Sequence, residues 1–142
     1  MKKWLILVVM ALSVALLWAQ TPKKLLIIDS QDQEPYKTLR ESMLSQLENL
    51  GYAEGKNLEV DYESVGNYSG AAFNLLRRNV IQKQVDYDVI FVNGTIASQG
   101  ALQFLEENDV SGRNLKFVFG NVTDPVGLGM VEELGKPATG LF

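Results

Sequence analysis

The chain has no cysteine and no histidine. The first absence excludes disulfides, thiol catalysis and thiolate metal sites. The second removes the commonest general base and the commonest metal ligand. Neither a metal centre nor a cofactor is expected, and no catalytic residue is assigned. Only 4 prolines occur in 142 residues, and no stretch has the composition of a linker, a repeat or a low-complexity tract. Positive charge is also scarce: 13 basic residues face 17 acidic ones, with no block of Lys or Arg. An acidic surface repels phosphate backbones, so nucleic acid is not an expected partner. The hydrophobic fraction of 46% is ordinary for a globular protein.

Long apolar runs are missing too, except at the start. Lys2 and Lys3 precede an apolar stretch from Trp4 to Leu17, broken only by Ser13, and Ala19 offers a small residue before Gln20. A membrane-spanning helix needs about 20 apolar residues. A shorter run followed by polar, charged sequence reads as a cleavable secretory signal over residues 1–19; the alternative is an uncleaved anchor. No Cys is available to carry a lipid at the cleavage site, so a soluble exported domain over residues 20–142 is expected. Without Lys2 and Lys3 the formal charge moves from −4 to about −6.

The exported part alternates between two hydrophobic periods. Leu25-Leu26-Ile27-Ile28 and Val89-Ile90-Phe91-Val92 are short continuous apolar runs, as in strands buried on both faces. Phe117-Val118-Phe119 is a third such strand, and Gly140-Leu141-Phe142 reads as the start of another. Leu58 to Glu63 alternates strictly, which places it at a sheet edge with one wet face. Between these runs lie helical spacings. Tyr36, Leu39, Met43, Leu47 and Leu50 share one helix face, which Gly51 ends. Ala72, Phe73, Leu76 and Val80 share a second, and Ile96, Ala97, Ala101, Leu102 and Leu105 a third.

Strand–helix alternation argues an α/β fold with a parallel sheet covered on both faces. Right-handed crossovers reduce the topologies to a doubly wound sheet. With the alternating strand outermost, the order is 2-1-3-4(-5), the flavodoxin-like arrangement.

Ligands of such sheets sit beyond the carboxyl ends of the strands, where strand order reverses. Three loops qualify: Asp29 to Glu34, Gly94 to Ser98, and Gly120 to Pro125. Gly94-Thr95-Ile96-Ala97-Ser98 opens a helix whose leading N–H groups lack internal acceptors, a setting for a carboxylate or another small anion. Helix capping by Thr95 explains the same residues equally well. The first loop is acidic and has no glycine to wrap a phosphate, which speaks against flavin or nucleotide; Asp29 or Asp32 could meet a ligand ammonium or hydroxyl, or the loop could simply be solvated. In the third loop Thr123 and Asp124 face the same cleft, while Asp124-Pro125 is also plain turn chemistry. A helix start favouring carboxylate, beside an acid favouring ammonium, fits an amino-acid zwitterion.

Three segments together resemble one family. Gly51-Tyr52-Ala53-Glu54-Gly55-Lys56-Asn57, Asp88 to Thr95, and Val122-Thr123-Asp124-Pro125-Val126-Gly127 come in the order seen in ABC-transporter substrate-binding proteins related to tryptophan and other aromatic amino-acid binders. Ala138-Thr139-Gly140 is similar to that family's passage out of its first lobe. The resemblance implies one lobe of a two-lobed periplasmic clamp that captures a small polar metabolite, best an amino acid, and presents it to an ABC permease in the inner membrane. It implies ligand contacts from Ser30 and Asp32, from Thr95, Ile96, Ala97 and Ser98, and from Thr123 and Asp124. Many members carry Pro after the loop Thr where this chain has Ile96, which leaves the ligand class open. Members are about twice as long, so a sequence truncated at the crossover to lobe two is the expectation.

Three rivals stand beside that reading. A receiver-type signalling domain shares the strand order, but needs a phosphate-accepting Asp where this chain has Asn93. A hydrolase would use Asp29, Asp32 or Asp124 as paired carboxylates. An exported sensory or scaffolding lobe would act through protein–protein contacts.

Overall fold

The computed structural model describes residues 21–135. The signal segment, the passage at Ala138 to Gly140 and the strand expected at Gly140 to Phe142 lie outside the described residues.

Four strands and three helices follow one another: β1 (Lys23–Asp29), α1 (Tyr36–Asn49), β2 (Leu58–Ser64), α2 (Ser69–Leu76), β3 (Val89–Asn93), α3 (Thr95–Glu107) and β4 (Lys116–Gly120). The sheet order is β2-β1-β3-β4, and every pairing is parallel. The doubly wound order read from the hydrophobic pattern is therefore the observed one. Each ladder ends level with the next. Asp29 pairs with Ser64 and with Asn93, and Asn93 pairs with Gly120. The last residues of all four strands thus form one straight edge.

The two faces of the sheet are covered by different helices. Leu26, Ile28, Ile90 and Val92 point to one side and pack with Ala72, Leu76, Val80, Ala97, Ala101 and Phe104 of the α2 and α3 region. Leu25, Ile27, Leu58 and Phe91 point to the other and meet Leu39, Met43, Leu44 and Leu47 of α1. β1 is buried on both faces because its apolar run is continuous, as a central parallel strand requires. β2 exposes Glu59, Asp61, Tyr62 and Glu63, as an edge strand does.

Three details differ from the sequence pattern. α2 runs on through a wider π-type turn from Arg77 to Gln82, which keeps Val80 buried. In α3 the deepest side chain is Phe104, with Leu102 and Leu105 only half-buried. The helix is rotated toward the small residues Ala97, Gly100 and Ala101, which let it approach α2 closely. β4, expected to be central, is an edge among the described residues, and its Val118 is 48% exposed. Gly51 ends α1 in the left-handed conformation at φ 93°, with the Tyr52 N–H returning to the Leu47 carbonyl at 2.9 Å.

Candidate binding rim at the carboxyl ends of the strands

Beyond the strand ends the backbone ladder continues into the loops. The Ser30 N–H donates to the Asn93 carbonyl and the Gly94 N–H to the Gly120 carbonyl, both at 2.8 Å. Gly94 has φ 102°, and a side chain there would collide with Tyr36 and Ser30. Only glycine permits both the backbone conformation and the contact. It is the hinge point at which β3 hands the chain to α3.

Side chains then tie the loops to one another. The Ser30 hydroxyl accepts the Ala97 N–H at 3.0 Å, satisfying one of the helix's leading donors from a different loop. The Ser98 hydroxyl donates to the Gly94 carbonyl at 2.8 Å. On the β4 side, Thr95 Oγ1 accepts the Thr123 N–H at 3.1 Å and lies 3.3 Å from the Thr123 hydroxyl. Asp124 folds back on its own turn, its Oδ1 accepting the Gly127 N–H at 2.8 Å.

The eight residues singled out from the sequence therefore fall into two groups. Ser30, Ala97 and Ser98 are buried and face inward, where they hold the loops in place. Asp32, Thr123 and Asp124 are exposed on the loops that follow the strands, and Thr95 and Ile96 are half-buried in the first turn of α3. Thr95 and Thr123 are brought together. Asp32 lies on the opposite flank, against β2 and α1.

That flank holds a network the sequence pattern did not single out. Asp29, with no exposure at all, pairs with Arg40 of α1 and accepts the Asn93 amide at 2.9 Å. The same amide donates to the Tyr36 carbonyl at 3.0 Å, while Asn93 Oδ1 is a buried oxygen with no partner among the described residues. Arg40 also reaches Asp32 at 3.2 Å and lies 4.0 Å from the centre of the Tyr62 ring. Tyr62 donates its hydroxyl to Asp32 at 2.8 Å. The signal was present in the sequence: Arg40 is four residues after Tyr36, so it shares the inner row of α1, where a charge needs a partner.

Burial pushes the Asp29 carboxyl up from the ordinary value, while the Asn93 amide and Arg40 pull it back. For Asp32 the Tyr62 hydroxyl and then Arg40 hold the carboxyl below its usual range. Tyr62 is pushed up to about 12, first by burial and then by the Asp32 carboxylate its hydroxyl serves. Among the described residues no cluster of acidic side chains has the makings of a metal site.

The arrangement offers hydroxyls at Thr95 and Thr123, a helix start at α3 and a carboxylate oriented at Asp32.

A search for solved structures of the same shape finds three. A conserved domain protein from Vibrio cholerae matches with TM-score 0.67 and 27% identity, over 80% of this chain and 35% of that one. A ligand-free, open substrate-binding protein with adhesive properties from Clostridium difficile matches with TM-score 0.66 and 23% identity, over 81% of this chain and 36% of that one. An ABC domain in complex with L-Trp from Streptococcus pneumoniae gives TM-score 0.66 and 17% identity, over 83% and 36%. The fold is that of a substrate-binding-protein lobe. In sequence, a tyrosine-binding protein from Clostridioides difficile is 26% identical over 98 residues, which is 69% of this chain and 26% of the relative. The likeness read from the three motif segments is thus borne out, and the chain spans roughly a quarter to a third of the length of these proteins. No family model matches the chain.

Two outcomes follow from the network. Replacing Arg40 by Met leaves Asp29 buried without its cation, a loss of about 3–5 kcal/mol in urea unfolding. Adding Asp29→Asn to that variant should restore part of the loss, and simple additivity of the two changes would contradict the pairing. The second concerns Tyr62. An unfolded tyrosine titrates near about 10, so the proton it holds up to about 12 in the fold stabilises the fold fully below the unfolded value. That contribution is lost as pH rises through the folded value. In ultraviolet titration, Tyr62→Phe should remove one late-ionising phenol.

Proposed function

We propose that this lobe is one wall of the ligand cleft of an exported solute-binding protein, which captures an amino acid or a similarly small polar metabolite and delivers it to an ABC permease of the inner membrane. On this reading residues 1–19 are the export signal and residues 20–142 the first lobe. Among the described residues no helix is long and apolar enough to cross a membrane.

The observation that carries the proposal is the meeting of Thr95 and Thr123 at the start of α3. This point lies at the carboxyl edge of the sheet, beside the reversal of strand order, where doubly wound folds bind ligands. Thr95 and Ile96 lead the helix, so their N–H groups have no acceptor within it and carry the positive end of its dipole. The carboxylate of an amino acid matches that end. Asp124, next to Thr123 in the same loop, provides the complementary pole for an ammonium. Two of the similar proteins are described by an aromatic amino acid, one as tyrosine-binding and one in complex with L-Trp. This supports the same ligand class here.

A single wall encloses less of a ligand than a closed pocket does, so the isolated chain should bind weakly. Chemical-shift titration with L-tyrosine and L-tryptophan at millimolar concentration is the suitable measurement. Amides of Thr95, Ile96 and Thr123 are expected to move together. Thr95→Ala should weaken binding by about 0.5–1.5 kcal/mol, a few-fold to roughly tenfold. Absence of any response across a panel of amino acids would remove the proposal.

A further inference from the structure

Charge is unevenly spread along this acidic chain. From Ser64 to Val85 it carries Arg77, Arg78 and Lys83 and no acid at all. Elsewhere most bases are answered. Lys23 pairs with Asp88, Lys24 with Glu59, Lys37 with Glu41, Arg40 with Asp29 and Arg113 with Asp86. Arg77 and Arg78 are exposed, and no acid among the described residues lies within ion-pair distance of either.

Both arginines line one groove of about 460 Å³, between the end of β2 and α2 with its π-type turn. β2 is the edge strand opposite β4, so the groove lies across the sheet from the meeting of Thr95 and Thr123. The turn explains how two consecutive residues reach one opening. The Lys83 N–H returns to the Arg78 carbonyl at 2.9 Å, five residues back. So wide a turn rotates less from one residue to the next than an α-helical one does, and such turns gather at functional sites. Arg78 Nε donates to Asn79 Oδ1 at 3.3 Å, while its terminal nitrogens bond to no described residue. Ser64, Asn74 and Gln82 add neutral polar groups to the lining, and Glu63 stands on the strand wall. Bases near a helix end also suit its dipole, but that interaction requires neither a groove nor a polar wall opposite.

We propose that this groove binds a small phosphomonoester bearing an amine, with its dianionic head on Arg77 and Arg78 and its ammonium toward Glu63. Guanidinium forks match phosphate oxygens two at a time. A monoester is largely dianionic above pH ~7, so it answers both guanidiniums, as a single carboxylate cannot. Glu63 has no cation within ion-pair distance among the described residues, and it repels any ligand with a second negative end. An ammonium beside it leaves every charge of the groove met. The volume is that of a small-metabolite site. Charges this exposed are screened by salt, so binding weakens as ionic strength rises. The site is separate from the solute cleft and does not depend on it.

The test uses the full chain at low ionic strength, with phosphoethanolamine, inorganic phosphate and ethanolamine as probes. Chemical-shift titration follows the Arg77 and Arg78 Nε–H signals and the Asn79 amide, with potassium chloride at matched ionic strength as the blank. Phosphoethanolamine should move these signals and bind about tenfold tighter than phosphate, the scale of one hydrogen bond to a charged group. Ethanolamine alone should move none of them. Replacing both arginines, Arg77→Gln with Arg78→Gln, should weaken phosphoethanolamine binding by about tenfold or more. The milder pair Arg77→Lys with Arg78→Lys keeps the charge, loses the forks and should weaken binding severalfold, with circular dichroism unchanged. Glu63→Gln should lower phosphoethanolamine to the level of phosphate and leave phosphate itself unaffected. Shifts no larger than the chloride blank overturn the proposal, and so does wild-type affinity in either arginine pair. A preference for phosphoethanolamine that survives Glu63→Gln overturns the place given to the amine. The same samples titrated with L-tyrosine and L-tryptophan report on the rim, so the two sites stand or fall separately.

Discussion

A carboxylate with no exposure cannot stand alone, and the rim of this lobe is arranged around that fact. Moving an ionised Asp out of water costs several kcal/mol unless a cation and hydrogen bonds replace the lost solvent. Asp29 closes the central strand and meets Arg40 from α1 and the Asn93 amide from β3. Three elements are thereby fixed to one point at the carboxyl edge of the sheet. The same Asn93 amide holds the Tyr36 carbonyl, so the start of α1 is fixed to the end of β3 as well.

From that anchor the loops acquire their shape. Ser30 follows Asp29 directly, and its hydroxyl reaches the Ala97 N–H at the start of α3. Gly94 lets the two loops come close enough for this bond to form. Thr95 then carries the link on to Thr123 after β4. Loops that would be mobile on a scaffold of unlinked strand ends become one rigid border, with a helix start on one flank and an oriented acid on the other. Rigidity of this kind matters for binding weakly enclosed solutes, because each group that is already ordered need not be ordered by the ligand.

Much of the fold was legible in the sequence because parallel strands write a plain signal. Leu25 to Ile28 and Val89 to Val92 are continuous apolar runs, and Leu58 to Glu63 alternates. Those two patterns identify central and edge positions, and the order 2-1-3-4 follows from them. The convergence of the three loops at one edge of the sheet was legible in outline. The three loops were expected together because topology sends all strand ends the same way. What escaped was the division of labour. Ser30 and Ser98 look from sequence like hydroxyls available to a ligand, yet both are buried in internal bonds. Arg40 looks like one more charge on a helix, since pairing across β1, α1 and β2 has no period in the chain. Phe104 was missed because α3 is rotated toward its small residues, a consequence of its packing on α2.

The central claim is that the rim is held from inside, before any ligand is present. Native-state hydrogen exchange at the Ala97 amide reads this directly, because its acceptor is the Ser30 hydroxyl from another loop. The account predicts slow exchange in the unliganded chain and fast exchange in Ser30→Ala, with strand amides of Ile27 and Val92 unchanged. An Ala97 amide that exchanges freely in the wild-type protein would contradict it.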